Sequence, residues 1–441
     1  MPLQAGTGVR EITPQKPLQL CGYPHVKRIS TGVHDPLLAT ALCLRTDAEA
    51  VLLVALDIVG LHTTMALELR KTLAEAAGLD EAQVFVSCTH THSGPITYDA
   101  VGREDDPARN GPDPEFLDRL TAQVREAAEE AAGSLRPAEL AWTAASGKGV
   151  GGNRHDPEGP ADPEVGLLVV RDPESRRPRA VSMTYSMHPT VLHEDSTLVT
   201  SDFPHYARAR VREGLDAADL PVLYHMGPSG NQSPRWFVQG QTFAEAERLG
   251  GKLGQAAVDG LRALADDAFQ AGPVLGGAVV PVELVPRRMP PVAEAEKNLR
   301  EVVAEYERLK AEGAGHGPVR TAECATFGAE RTLSLARAQE DGRLAEAIRV
   351  HNPAQVQGLR VGEACLVGLP CEIFVEYGLA IKERAAGRAF VVSLVNGESQ
   401  GYIVTPDAQG YEAMTCLFDA ASGPRLVDAA VRAVDRLAAA D

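Results

Sequence analysis

A chain of 441 residues with 44% hydrophobic and 23% charged residues can bury a sizeable core, and its mix is not that of a fibre, a coiled coil or a disordered polymer. A formal charge of −17, with no long basic run, argues against electrostatic capture of nucleic acid or of an anionic membrane. The seven cysteines are odd in number and form no C-x-x-C, so reduced, buried thiols and a cytoplasmic location are expected.

The opening stretch "MPLQAGTGVREITP" has neither the basic nor the long apolar region of a secretory signal. The run "VLLVALDIVG" is too short to span a bilayer and carries Asp57, so no stable membrane insertion is expected. "ALCLRTDAEAVLLVALD" reads as two strands joined by a turn over Thr46 to Glu49. "TTMALELRKTLAEAAGLD" has helical spacing with Thr63 or Thr64 as N-cap, and "AQVFVSCT" is a short buried strand. Strand, helix, strand is a β-α-β unit, and ligands in such folds gather beyond the C-terminal strand ends, where Asp57 and His90 lie.

A helix over Pro114 to Ala132 and the strand in "AELAWTAASGKG" follow. "EVGLLVVRD" and "AVSMTYSMHPT" are strands, "FPHYARARVREGL" is a helix, and "LPVLYHMGPSGNQSPR" is a strand entering a tight loop. A long helix in "QTFAEAERLGGKLGQAAVDGLRAL" precedes Ala/Glu/Arg-rich helices from 284 to 351, which suit a substrate-facing lid or a homo-oligomer surface. Strands and loops return before a closing helix over Leu426 to Ala439. The expected class is α/β, a mixed-sheet domain with a helical elaboration: core 1–283, elaboration 284–351, core again 352–441.

Ligand-capable side chains stand where buried strands give way to loops. His90 and His92 leave one strand in "THTHSGP"; His188 ends another before Pro189. Glu372 follows "CLVGLPC", and Tyr402 lies in "NGESQGYIVTP". Two histidines and a glutamate would serve Zn2+ with one position left open, and a tyrosine oxygen is an unusual fourth donor. For Glu372 the plain alternative is an acid at a helix N-terminus, since "EIFVEYGLAIKERA" looks helical. In "GPSGNQSPR", Gly227 and Gly230 permit unusual torsions, and Ser233 is either a nucleophile or part of a Ser-Pro turn. Arg154, in "GGNRHDP", can reach a carboxylate or carbonyl in bidentate fashion, or simply form a surface ion pair. Asp35 and Asp202 read as turn and cap residues.

Taken in order, "GTGVREITP", "GVHDPLLATALCL", "THTHSGP", "GGNRHDPEGPADPEVGLLVV", "YSMHPT", "SDFPHYA", "GPSGNQSP", "GLPCEIFVEYG" and "NGESQGYIVTPDAQGYE" resemble the catalytic domain of the neutral/alkaline ceramidase family. The resemblance implies a zinc amidohydrolase that cleaves an N-acyl bond, with His90, His188, Glu372 and Tyr402 as zinc ligands. It also implies that His92 is a non-ligand catalytic neighbour, that Ser233 stands where a serine was proposed as nucleophile, and that Arg154 and Tyr411 contact the substrate. Departures are "ITYDAVG" after "THTHSGP", Asn231 where the family has an acid, and no sign of a leader or of a C-terminal immunoglobulin-like domain. The expected reaction is therefore zinc-assisted cleavage of a small or moderately apolar amide rather than ceramide. The rival readings are ester or lactone cleavage at the same centre and a metal-free binding protein on the same fold.

Overall fold

The computed structural model describes residues 2–23, 26–102, 111–385 and 388–439. Eight strands form the larger sheet: β1 (Leu3–Glu11), β2 (Leu38–Arg45), β3 (Ala50–Leu56), β4 (Val84–Cys88), β5 (Arg136–Ser146), β6 (Glu164–Arg171), β7 (Pro178–Tyr185) and β8 (Val222–Met226). Their order is β8-β7-β6-β5-β1-β2-β3-β4. A second sheet of four runs β9 (Leu275–Val282), β10 (Ala354–Val361), β11 (Ala364–Leu369) and β12 (Arg388–Ser393), in that order.

Alternation along the strands dictates the layers. On β3, Val51, Leu53 and Ala55 join a core shared with Leu366 of β11 and Phe390 of β12, so the two sheets pack face to face. Leu52, Val54 and Leu56 point the other way, onto α1 (Thr63–Ala77) and α2 (Pro114–Gly133). Farther along the same face, α3 (Phe203–Gly214) and α4 (Phe243–Arg262) cover β6 to β8. Cys365, Val367 and Leu369 of β11 face outward, under α8 (Val375–Arg384) and α10 (Ser422–Ala438). Helix, sheet, sheet, helix is the result, a mixed α/β architecture as the sequence leads one to expect. All seven residues of β3 are buried, and each fully buried Val or Leu contributes about 1.5–3 kcal/mol. Helices α5 (Val292–Ala311), α6 (His316–Glu340) and α7 (Arg343–His351) lie between β9 and β10 in sequence, and α9 (Tyr411–Thr415) packs on α6.

The pairs that matter for function are parallel. β3 and β4 flank α1, β7 and β8 flank α3, and β11 and β12 flank α8. The larger sheet also bends until its edges meet: Ser87 Oγ on β4 lies 2.7 Å from His225 Nδ1 on β8. An isolated antiparallel bridge from Ser87 to Val395 ties the end of β12 to β4. The C-terminal ends of three parallel pairs are thereby drawn to one place.

Several local expectations need correction. The N-cap of α1 is His62, whose Nδ1 accepts from the Thr64 N–H at 3.4 Å, rather than either threonine. The closing helix starts at Ser422, where Ser422 Oγ accepts from the Val285 N–H and fixes the chain entry. Gly227 and Gly230 are not at positive φ. Close approach demands them instead, because a Cβ would lie 2.4 Å from Ser186 Oγ or 2.9 Å from the Glu372 carbonyl oxygen. All seven cysteines are free thiols. Among the described residues no helix is long and apolar enough to cross a membrane.

Candidate metal centre

His90 leaves β4 with φ at 65°, in the left-handed region, its N–H held 2.9 Å from the Ile58 carbonyl. That conformation costs a non-glycine residue about 1–3 kcal/mol and turns the imidazole inward. The Nδ1–H of His90 donates to the Val59 carbonyl at 2.6 Å, and that of His188 to the Ser229 carbonyl at 2.6 Å. Each bond fixes the tautomer and leaves the Nε2 lone pair facing the centre. Glu372 Oε2 sits between them, 2.9 Å from His188 Nε2 and 3.3 Å from His90 Nε2. Glu372 is not part of α8; it lies in a two-residue parallel pairing in which Glu372 opposes Tyr402 and Ile373 opposes Ile403.

His92 stands beside them, its ring centroid 4.9 Å from that of His90 and 5.8 Å from that of His188. Both its nitrogens are buried without a hydrogen-bond partner among the described residues. One nitrogen from each of the three histidines falls within 4.8 Å of the others. Burial, reinforced by the neighbouring imidazoles, holds His92 well below its ordinary pKa, so the ring is neutral. Burial likewise lowers His188, whereas at His90 the Glu372 charge outweighs burial and raises it. Burial favours neutral Glu372, but the charge and hydrogen bonds of His90 and His188 prevail and hold its carboxyl well below the carboxylate range. Two imidazole Nε2 atoms converging on one carboxylate oxygen, with a backbone carbonyl behind each ring, form a donor set that fits a metal ion such as Zn2+.

A cavity of about 150 Å³ opens over this cluster, lined by His90, His92, Glu372, Tyr402, Tyr411 and Glu398 among others. Burial and the Glu372 charge raise the Tyr402 phenol well above its ordinary value. Tyr411 meets Tyr402 edge to face, with centroids 6.2 Å apart. The Tyr23 and His92 rings meet in a T-shaped contact, with centroids 5.2 Å apart; Gly22 before Tyr23 has φ at +92°, and a Cβ there would lie 2.3 Å from His92 Cγ.

Not every residue singled out in the sequence reaches that cavity. Arg154 stands behind Tyr402, its Cζ 5.4 Å from the ring centroid. Its Nη2 binds Glu412 Oε1 at 2.5 Å and the Gly230 carbonyl at 2.6 Å. Ser233 pairs with Gly152 in a short ladder, and its Oγ accepts from the Arg235 N–H at 3.3 Å, a Ser-Pro turn bond. Asp57 does end β3, but its carboxylate grips Arg208 Nη1 and Nη2 at 3.0 and 2.7 Å. Asp202 caps α3 through the Phe203 N–H at 2.6 Å, and Asp35 accepts from Thr200 and Ser201.

Glu398 and Glu412 were not singled out in the sequence. Burial and the Glu372 charge push the Glu398 carboxyl up to about 7. Burial opposes ionisation of Glu412, yet Arg154 prevails and holds it at about 2. Both glutamates lie within "NGESQGYIVTPDAQGYE", close to Tyr402 and Tyr411 in sequence, and that proximity was the available signal.

Residues 3–220 match the family model described as neutral/alkaline non-lysosomal ceramidase, N-terminal. A crystal structure of neutral ceramidase from Pseudomonas aeruginosa superposes with a TM-score of 0.74 at 18% identity, over 99% of this chain and 75% of that one. A ceramidase complexed with C2 gives 0.73 at 17% identity, over 99% and 76%. At such identities the likeness is one of fold. No curated protein matches in sequence. The matched segment contains His90, His92, Arg154 and His188, and the shared fold extends to the strands that carry Glu372 and Tyr402: the chain is a distant homologue of the neutral/alkaline ceramidase family.

Proposed function

We propose that the protein is a zinc-dependent hydrolase that cleaves the amide bond of a small or moderately apolar N-acyl compound. The observation that carries this reading is the Glu372 carboxylate, 2.9 and 3.3 Å from two imidazole Nε2 atoms whose Nδ1–H groups are both bound to backbone carbonyls. His90, His188 and Glu372 would hold the ion, with the Tyr402 oxygen as fourth donor. Zinc bound there supplies Lewis acidity toward a carbonyl and lowers the pKa of a water.

The chain's own groups do the rest. His92, neutral and with no partner on either nitrogen among the described residues, would take and return a proton at the scissile nitrogen. Arg154, anchored by Glu412, steadies Tyr402 from behind, and Tyr411 shapes the cavity wall. The Ser233 Oγ is engaged in a turn bond with the Arg235 N–H, which favours a supporting role over that of a covalent nucleophile. The cavity of about 150 Å³ suits a small substrate better than ceramide; pockets for drug-sized ligands run to about 300–1,000 Å³.

The test is His188→Ala, measured for metal by elemental analysis and for turnover on matched amides, esters and lactones. Zinc and amide turnover should disappear together. Full zinc and full turnover in the variant would overturn the ligand set. Faster turnover of esters or lactones by the parent would reassign the substrate class, and absence of stoichiometric metal in the native protein would favour a binding protein.

A further inference from the structure

Glu398 lies on the loop after β12 and is 1% exposed, in the wall of the same cavity as His90 and Glu372. Its Oε1 accepts from the Gly401 N–H at 2.8 Å, and the Tyr98 hydroxyl also bonds this carboxyl. Its Oε2 has no hydrogen-bond partner among the described residues. An acceptor buried in this way is a cost to the free protein that a ligand's donor relieves. None of the proton or metal chemistry above uses this group. The Gly401 N–H and Tyr98 fix it in place, as a recognition group requires and as a loose surface carboxylate does not.

We propose that Glu398 selects the substrate: its free Oε2 accepts a hydrogen bond from a hydroxyl or ammonium group that the substrate carries near the scissile amide. The preferred substrates are then small amides with a polar donor, and plain hydrocarbon amides are poor ones. The substrate half of this statement rests on the hydrolase reading; the binding half does not.

Three amides of nearly equal size test it: N-(2-hydroxyethyl)acetamide, N-(2-aminoethyl)acetamide and N-propylacetamide. At pH 8 the zinc-loaded protein should favour the first two over the third by about tenfold or more in kcat/KM. Glu398→Leu should abolish both preferences. Glu398→Gln, which keeps an acceptor and removes the charge, should lower the ammonium preference to the level of the hydroxyl one. If Glu398→Leu fails to show a cooperative melt, the Gln variant alone decides. An absent preference in the parent, one that survives in Glu398→Leu, or an ammonium preference that stays above the hydroxyl one in Glu398→Gln, overturns the assignment. If none of the three is hydrolysed, the hydrolase reading fails by itself, and calorimetric binding of the same compounds to parent and variant still decides the role of Glu398: donor-selective binding lost in the variant supports it, and unselective or absent binding refutes it.

Discussion

Arg208 of α3 reaches across to Asp57 at the end of β3, and both side chains are almost wholly buried. Asp57 Oδ2 also accepts from the Leu38 N–H at 3.0 Å, and Arg208 Nη2 donates to Ser201 Oγ at 2.8 Å. Removing one partner strands the other charge in the interior, at about 3–5 kcal/mol. Arg208→Met and Asp57→Leu should therefore each lower stability by that much. The double variant removes both charges and orphans only the Leu38 N–H, so it should lose about 1–3 kcal/mol. The coupling between the sites then exceeds about 3 kcal/mol. Urea unfolding of the four proteins, followed by fluorescence and by circular dichroism, measures it. A double variant whose loss equals the sum of the single losses would show that the pair does not act as a unit. Metal content gives a second reading: the pair is structural, so the double variant should bind zinc as the parent does.

His92→Ala should keep stoichiometric zinc while amide turnover falls by about 10²–10⁴; parallel loss of zinc, by elemental analysis, would make His92 a ligand. Gly22→Ala forces a side chain at φ +92° against His92, and should cost about 2–4 kcal/mol in a melting experiment together with much of the turnover. The Glu398 carboxyl is raised from an ordinary 4.5 to about 7, so the folded state holds a proton that the unfolded chain releases between those values. Stability then falls as pH rises from about 4.5 to 7, by about 3 kcal/mol in all. Metal-free Glu398→Gln should be more stable than the parent at pH 8 by up to that amount, with the advantage gone below about pH 4.5; equal urea midpoints at both pH values would contradict the burial argument.

Local pattern carried much of the fold. The turn between β2 and β3 and the β-α-β unit around α1 follow from short-range alternation and helical spacing. The break imposed by Pro189 after His188, or by Pro370 before Glu372, marks a strand end in the sequence itself. What local pattern does not contain is the meeting of the sheet's two edges through Ser87 and His225, a contact across 138 residues. For the same reason Asp57 reads as a group at a ligand-binding strand end, although Arg208, 151 residues later, claims it. Glu398 is a further case: in sequence it is one more polar residue in a glycine-containing loop, and only burial beside Glu372 gives it chemical character.

The carboxylate that bridges the two imidazoles comes late in the chain. Glu372 follows His188 by 184 residues, and the Ser87–Val395 bridge that ties the second sheet to β4 comes later still. At about 5–20 residues per second, the ribosome needs about 10–40 s to add that stretch. During that interval the nascent protein holds histidines without their acid, and a divalent cation would meet a weaker, less selective set of donors. The topology thus sets an order of assembly, in which the centre closes only when the last quarter of the chain has been made.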